Sequence, residues 1–64
     1  MNKIIFYNNE MNKYEILKFK TFKKALQEYL IILDIPWWEC DISNLKIFKN
    51  GKDITKKVNK ILEV

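Results

Sequence analysis

The chain has 64 residues, 48% of them apolar and 31% charged, and its net charge of +4 comes from twelve lysines against eight acids. That balance excludes a disordered tail, and so short a chain allows one domain, residues 1–64, near the lower limit for a core without staples. Histidine and arginine are absent, and the lone Cys40 and lone Gly51 exclude an internal disulfide and a glycine-rich phosphate loop.

Lys3 to Tyr7 (KIIFY) is apolar, β-branched and aromatic. It reads as an interior strand with both faces at least partly covered. Asn8 to Asn12 is a polar loop of hairpin length. Tyr14 to Lys20 (YEILKFK) alternates as a second strand, with Leu17 and Phe19 on one face and Ile16, Lys18 and Lys20 on the other. Thr21 to Leu33 then carries Phe22, Ala25, Leu26, Tyr29, Leu30 and Leu33 at i, i+3, i+4, i+7, i+8 and i+11. This is one stripe at 100° per residue, the pattern of a helix laid on a core. The Thr21 hydroxyl can cap its first turn, and Pro36 ends it by biasing Ile35 away from helical dihedrals.

Asp34 to Ser43 (DIPWWECDIS) reads either as a short strand or as a loop that tucks one Trp beneath the helix end. Leu45 to Lys49 is a strand with Leu45 and Ile47 facing one way and Phe48 the other. Asn50-Gly51 is the pair favoured where both turn positions need positive φ, which would set Lys49 opposite Lys52 and Ile47 opposite Ile54. Ile54, Val58, Ile61 and Leu62 share a helical stripe that Asp53 or Thr55 can cap; a final strand from Val58 to Val64 is the alternative. The expected fold class is α+β: a small antiparallel sheet packed on one central helix, in ββαβ(β) order with a short C-terminal helix.

Enzyme chemistry is poorly supplied. Without histidine the commonest general base near neutral pH is missing, and neither Ser43 nor Cys40 has an imidazole to activate it. Cys40 reads as a small buried hydrophobe. Asp34, Glu39 and Asp41 fall within eight positions, but their spacing matches no calcium loop. They read as a solvated acidic rim, and no cofactor or metal is expected. No apolar run suits a signal peptide or a membrane span, so the expectation is a cytoplasmic protein with no membrane role.

Two features point to a protein partner. If the Trp37-Trp38 segment is extended, the two side chains point to opposite faces, so one core cannot take both. The Trp left outside would be an interface anchor, and Glu39 and Asp41 beside it would favour a basic partner. Ile31 lies opposite the helix stripe, where the C-terminal segment, a partner or a second copy could cover it. The first expectation is therefore a non-catalytic protein-binding module using Trp37, Trp38, Glu39, Asp41 and Ile31.

The second expectation is a nucleic-acid-binding accessory protein, indifferent to sequence. Its phosphate contacts would come from two lysine sets, Lys18, Lys20, Lys23 and Lys24, then Lys46, Lys49, Lys52, Lys56, Lys57 and Lys60, with Lys18, Lys20, Lys23, Lys24, Lys49, Lys52, Lys56 and Lys57 foremost. Tyr7, Tyr14 or Phe48 on an open sheet face would stack on bases. The blander reading of these lysines is solubility. A homodimer is a third option, since so small a sheet exposes its edges. In size and in its Lys-, Asn-, Ile-, Phe- and Tyr-rich composition the chain resembles small proteins of phages and mobile elements of AT-rich bacteria. Some of those are non-catalytic inhibitors of host machinery, and the likeness implies such a role here.

Overall fold

The computed structural model describes residues 1–62, apart from the side chain of Trp37. In chain order it holds β1 (Asn2–Asn8), β2 (Lys13–Phe19), α1 (Phe22–Leu33), a 3-10 turn (Trp37–Glu39), β3 (Ile42–Lys49), β4 (Lys52–Asp53) and α2 (Thr55–Leu62). The fold is α+β, with an antiparallel sheet in the order β2-β1-β3-β4.

Local chemistry accounts for each turn. Between β1 and β2 the Asn8 side chain accepts from the amides of Glu10 and Met11, each at 3.0 Å, and Asn12 takes the left-handed conformation at φ 55°. Asn tolerates that region because its short polar side chain bonds locally. Asn50 and Gly51 have φ of 52° and 83°, both positive as a two-residue hairpin turn requires, and Lys49 pairs with Lys52. The turn is fastened to the start of β1, where the buried Asn2 side chain accepts from the Asn50 amide at 3.2 Å. The pairing of β1 with β3 contains a bulge: Ile5 faces Lys46 and Tyr7 faces Ser43. Two residues of β3 thus oppose Phe6 alone, and Asn44 absorbs the extra one at φ 54°.

The core consists of Ile4, Ala25, Tyr29, Ile47 and Val58, with Phe6, Leu17, Phe19, Phe22, Leu26, Ile32, Leu45 and Ile54 packed against it. Thr21 caps α1 as expected, accepting from the Lys24 amide at 3.3 Å. The buried side of α1 runs Phe22, Ala25, Leu26, Tyr29, Ile32, so the expected stripe turns at its C-terminal end. Ile32 enters the core, while Leu30 and Leu33 are exposed. At its last turn Ile32 and Leu33 border a recess shared with Ile42 and Leu45 of β3, and that neighbour sets which side is sheltered there. The C-terminal segment is helical through Leu62; the alternative strand to Val64 extends outside the described residues. Its expected stripe holds for Ile54 and Val58, whereas Ile61 is 74% exposed.

Val58 of α2 meets Ala25 and Tyr29 of α1 in one core, so both helices lie on the same face of the sheet. The Tyr29 hydroxyl donates to Oδ1 of Asn59 and ties the two helices together. The Thr55 hydroxyl accepts from the Ile47 amide at 2.9 Å, joining the start of α2 to β3. β1 is interior, as expected. Its outward residues Lys3, Ile5 and Tyr7 are half-shielded by neighbouring strands, and no helix of the described chain covers them. No helix among the described residues is long and apolar enough to cross a membrane.

Candidate functional site

Topology gives the molecule two unlike ends. The β1–β2 turn, the C-terminal end of α1 and the start of β3 lie together, joined by the Asn9 amide donating to the Asp41 carbonyl at 2.7 Å. At the other end lie the starts of β1 and α1, the β3–β4 turn and the beginning of α2. From Ala25 to Leu45 the chain carries Glu28, Asp34, Glu39 and Asp41 and no lysine; all twelve lysines lie outside this segment.

At the acidic end, Pro36 stops α1. The Asp34 amide still reaches the carbonyls of Leu30 and Ile31, and the Glu39 amide closes the 3-10 turn on the Pro36 carbonyl at 2.9 Å. This turn sends Trp38 outward at 68% exposure, with Glu39 and Asp41 exposed near it. Of the two readings of this segment the strand does not form, because the chain coils through the 3-10 turn before β3 begins at Ile42. The Trp37 side chain lies outside the described residues. Leu33, Ile35, Cys40, Ile42 and Leu45 line an apolar recess between the helix end and β3. Cys40 is half-buried there, its thiol 3.8 Å from the Ile42 carbonyl. Ile31 is 60% exposed and points away from the core, which its neighbour Ile32 enters. α2 does not cover it, and a partner spanning the recess and Ile31 must wrap the helix end.

The lysines expected to contact phosphate do not form one face. Lys23 and Lys24 are exposed on the first turn of α1, and Lys56 and Lys57 on that of α2. Lys49 turns toward the helices, its Nζ 5.1 Å from the centre of the Phe22 ring. Lys49, Lys52, Lys56 and Lys57 share a broad concavity with Asp53. Lys20 follows the end of β2. Lys18 belongs to a different group, on the sheet face away from the helices.

That open face is fixed by register, since residues directly opposite in an antiparallel pair point the same way. Ile4, Leu17 and Ile47 face the helices, so the neighbouring rows face outward. One row holds Lys18, Lys3, Phe48 and Asp53; the next holds Ile16, Ile5 and Lys46; the third holds Tyr14, Tyr7 and Ser43. The Tyr7 and Tyr14 rings meet edge to face, with centroids 5.1 Å apart, and Lys3 Nζ lies 5.1 Å from the centre of the Phe48 ring. Tyr14 and Ile16 are more than half exposed. Lys3, which the sequence does not single out as a contact, thus joins Lys46 on this surface; strand register across β1 and β3, a long-range property, is what brings them together.

Other polar groups have structural partners. Hydrogen bonds from the Thr55 hydroxyl, at 2.7 Å, and then from its amide, at 3.0 Å, hold the Asp53 carboxyl below its ordinary range. Burial pushes the Tyr29 phenol up. The Ser43 hydroxyl is 3.4 Å from Asn9 Oδ1. Among the described residues no three Cys, Asp or Glu side chains converge on a point that could hold a metal ion. Compared with known protein families, curated proteins and solved structures, the chain matches none.

Proposed function

We propose that this protein is a non-catalytic binding module that docks a protein partner at its acidic end and acts by occupying the partner's surface. The observation that carries the reading is the concentration of exposed large apolar side chains in nine positions: Leu30, Ile31, Leu33, Ile35 and Trp38. Scattered apolar residues on a surface need no explanation, but a group beside an apolar recess marks a contact site. Asp34, Glu39 and Asp41 supply a negative rim, so the partner's facing surface is basic. Trp38 is the anchor, because a large amphipathic ring gains most when a partner desolvates it. An inhibitory role follows if the covered surface is one the partner needs, and the absence of histidine fits occupation better than turnover.

The test is capture from host lysate treated with nuclease, comparing the wild type with Trp38→Ala and Ile35→Lys. Both side chains are exposed, so both variants keep the wild-type circular dichroism. Loss of a discrete protein band with either folded variant supports the site. A band that both folded variants retain in full refutes it.

A further inference from the structure

The open face of the sheet offers a different chemistry from the acidic end. Tyr7, Tyr14 and Phe48 present aromatic rings there, and Lys3, Lys18 and Lys46 lie between and beside them. We infer that this face binds single-stranded nucleic acid without sequence preference, stacking bases on the tyrosine pair and on Phe48 and seating phosphates on the three lysines.

The spacing suits an extended strand. Tyr7 and the Lys3–Phe48 pair stand four residues apart along β1, roughly 13 Å at the rise of a strand. Two stacking positions are therefore separated by the Ile5–Ile16 row, which offers an apolar floor to whatever spans it. Base–aromatic stacking tolerates any sequence because every base has a π face. The absence of arginine removes the planar fork that reads guanine bidentately, so indifference to sequence follows from composition. Charge on the face favours a polyanion: three lysines against Asp53, whose carboxylate already accepts from Thr55. Lys46 also borders the concavity that holds Lys49, Lys52, Lys56 and Lys57, which raise the local positive potential and speed encounter. A rigid duplex hides the faces of its bases within its own stack and gains only the lysine contacts. Single strands are thus preferred.

The test uses fluorescently labelled twelve-nucleotide oligo-dT and oligo-U, with a twelve-base-pair duplex as control, read by anisotropy over a salt series. Both single strands are expected to bind more tightly than the duplex. Three neutralised phosphates give a slope of log K against log salt of about −2. Tyr14→Ala, at an exposed position, weakens binding by about 10-fold or more, and Lys46→Glu weakens it and flattens the slope. Trp38→Ala leaves oligonucleotide binding unchanged, so the fate of this inference is separable from that of the protein-docking site.

Three results overturn the inference. One is no anisotropy change at low salt. Another is equal or tighter binding of the duplex. The third is binding that Tyr14→Ala and Lys46→Glu leave intact while Lys56→Ala/Lys57→Ala removes it, which moves the contact to the α2 lysines. If folded Tyr14→Ala and Lys46→Glu instead lose a captured protein with oligonucleotide binding unaltered, the face is a protein surface and the inference is equally wrong.

Discussion

Tyr29→Phe is the sharpest test of how so small a fold holds its second helix. The Tyr29 ring is 1% exposed and packs with Ile4, Ala25, Ile47 and Val58, and its hydroxyl donates to Asn59 on α2. Phe keeps the ring, so no cavity opens. The loss is one hydrogen bond, worth about 0.5–1.5 kcal/mol net. Asn59 is only half-buried, so water can replace the donor, and the expected cost stays near ~1 kcal/mol. With a urea dependence of about 1 kcal/mol/M for a small chain, the unfolding midpoint falls by roughly 0.5–1 M. Tyr29→Ala costs about 3–5 kcal/mol through the cavity it leaves. That is comparable to the whole stability of a chain this short, at about 0.05–0.15 kcal/mol per residue.

The assay is urea unfolding by circular dichroism for Tyr29→Phe, Asn59→Ala and the double variant. Coupled partners make the double variant cost less than the sum of the singles, by roughly the value of the bond. Costs that add within about 0.3 kcal/mol would show that the hydroxyl does not tie α1 to α2, and that Val58 and Ile54 hold the helix alone. An alkaline arm checks the burial of the phenol, which is what raises its pKa. The Tyr29 phenol titrates above its ordinary value of 10.0, so ionisation favours the unfolded chain. The stability is fully present below pH 10 and declines as pH rises beyond it; Tyr29→Phe loses that portion of the decline.

Thr55→Val leaves the Ile47 amide without its 2.9 Å acceptor and should cost about 1–2 kcal/mol in the same urea assay, with α2 amides exchanging faster. Asn50→Ala removes the short polar side chain that lets a residue with a β-carbon tolerate φ 52° and should cost about 1 kcal/mol, while Asn50→Gly is tolerated; equal stability of the two would deny the left-handed turn. Asp53, held below its ordinary 3.8 by Thr55, contributes stability above pH 3.8 that is lost as pH falls through its folded value. Asp53→Asn should therefore flatten the acid limb of the stability profile, and an unchanged limb would remove Asp53 from that role.

The elements were largely legible because their signals are local. The Thr21 cap, the 3.6-residue spacing through Tyr29 and the Asn-Gly turn each rest on residues within a few positions of one another. The turn even carried its register, since a two-residue loop leaves Lys49 only one partner, Lys52. Where the reading slipped, neighbours distant in sequence decided. Leu30 and Leu33 satisfy the helical stripe as well as Ile32 does, but the sheet beneath the last turn admits Ile32. The tryptophan pair could not be placed by alternation, because Pro36 and the 3-10 turn precede the strand. The bulge at Asn44 likewise has no local marker, since Asn44 takes φ 54° where a Gly would have signalled it.

The sequence by itself determined the periods, the caps, the lysine-free, acidic stretch from Ala25 to Leu45 and the absence of histidine and arginine. Those bound the chemistry, since they depend on composition and spacing alone. Only the tertiary structure decided the strand order β2-β1-β3-β4 and the placing of both helices on one face. Alternation along a strand marks two faces but not which of them a helix will cover; that choice is made by Ala25 and Tyr29 of α1 and Val58 of α2 packing with Ile4 and Ile47 of the sheet. Its consequence is the uncovered face where Lys3, Lys46 and Phe48 join Tyr7, Tyr14 and Lys18, residues separated by up to 45 positions and assembled by pairing energy rather than by any local pattern.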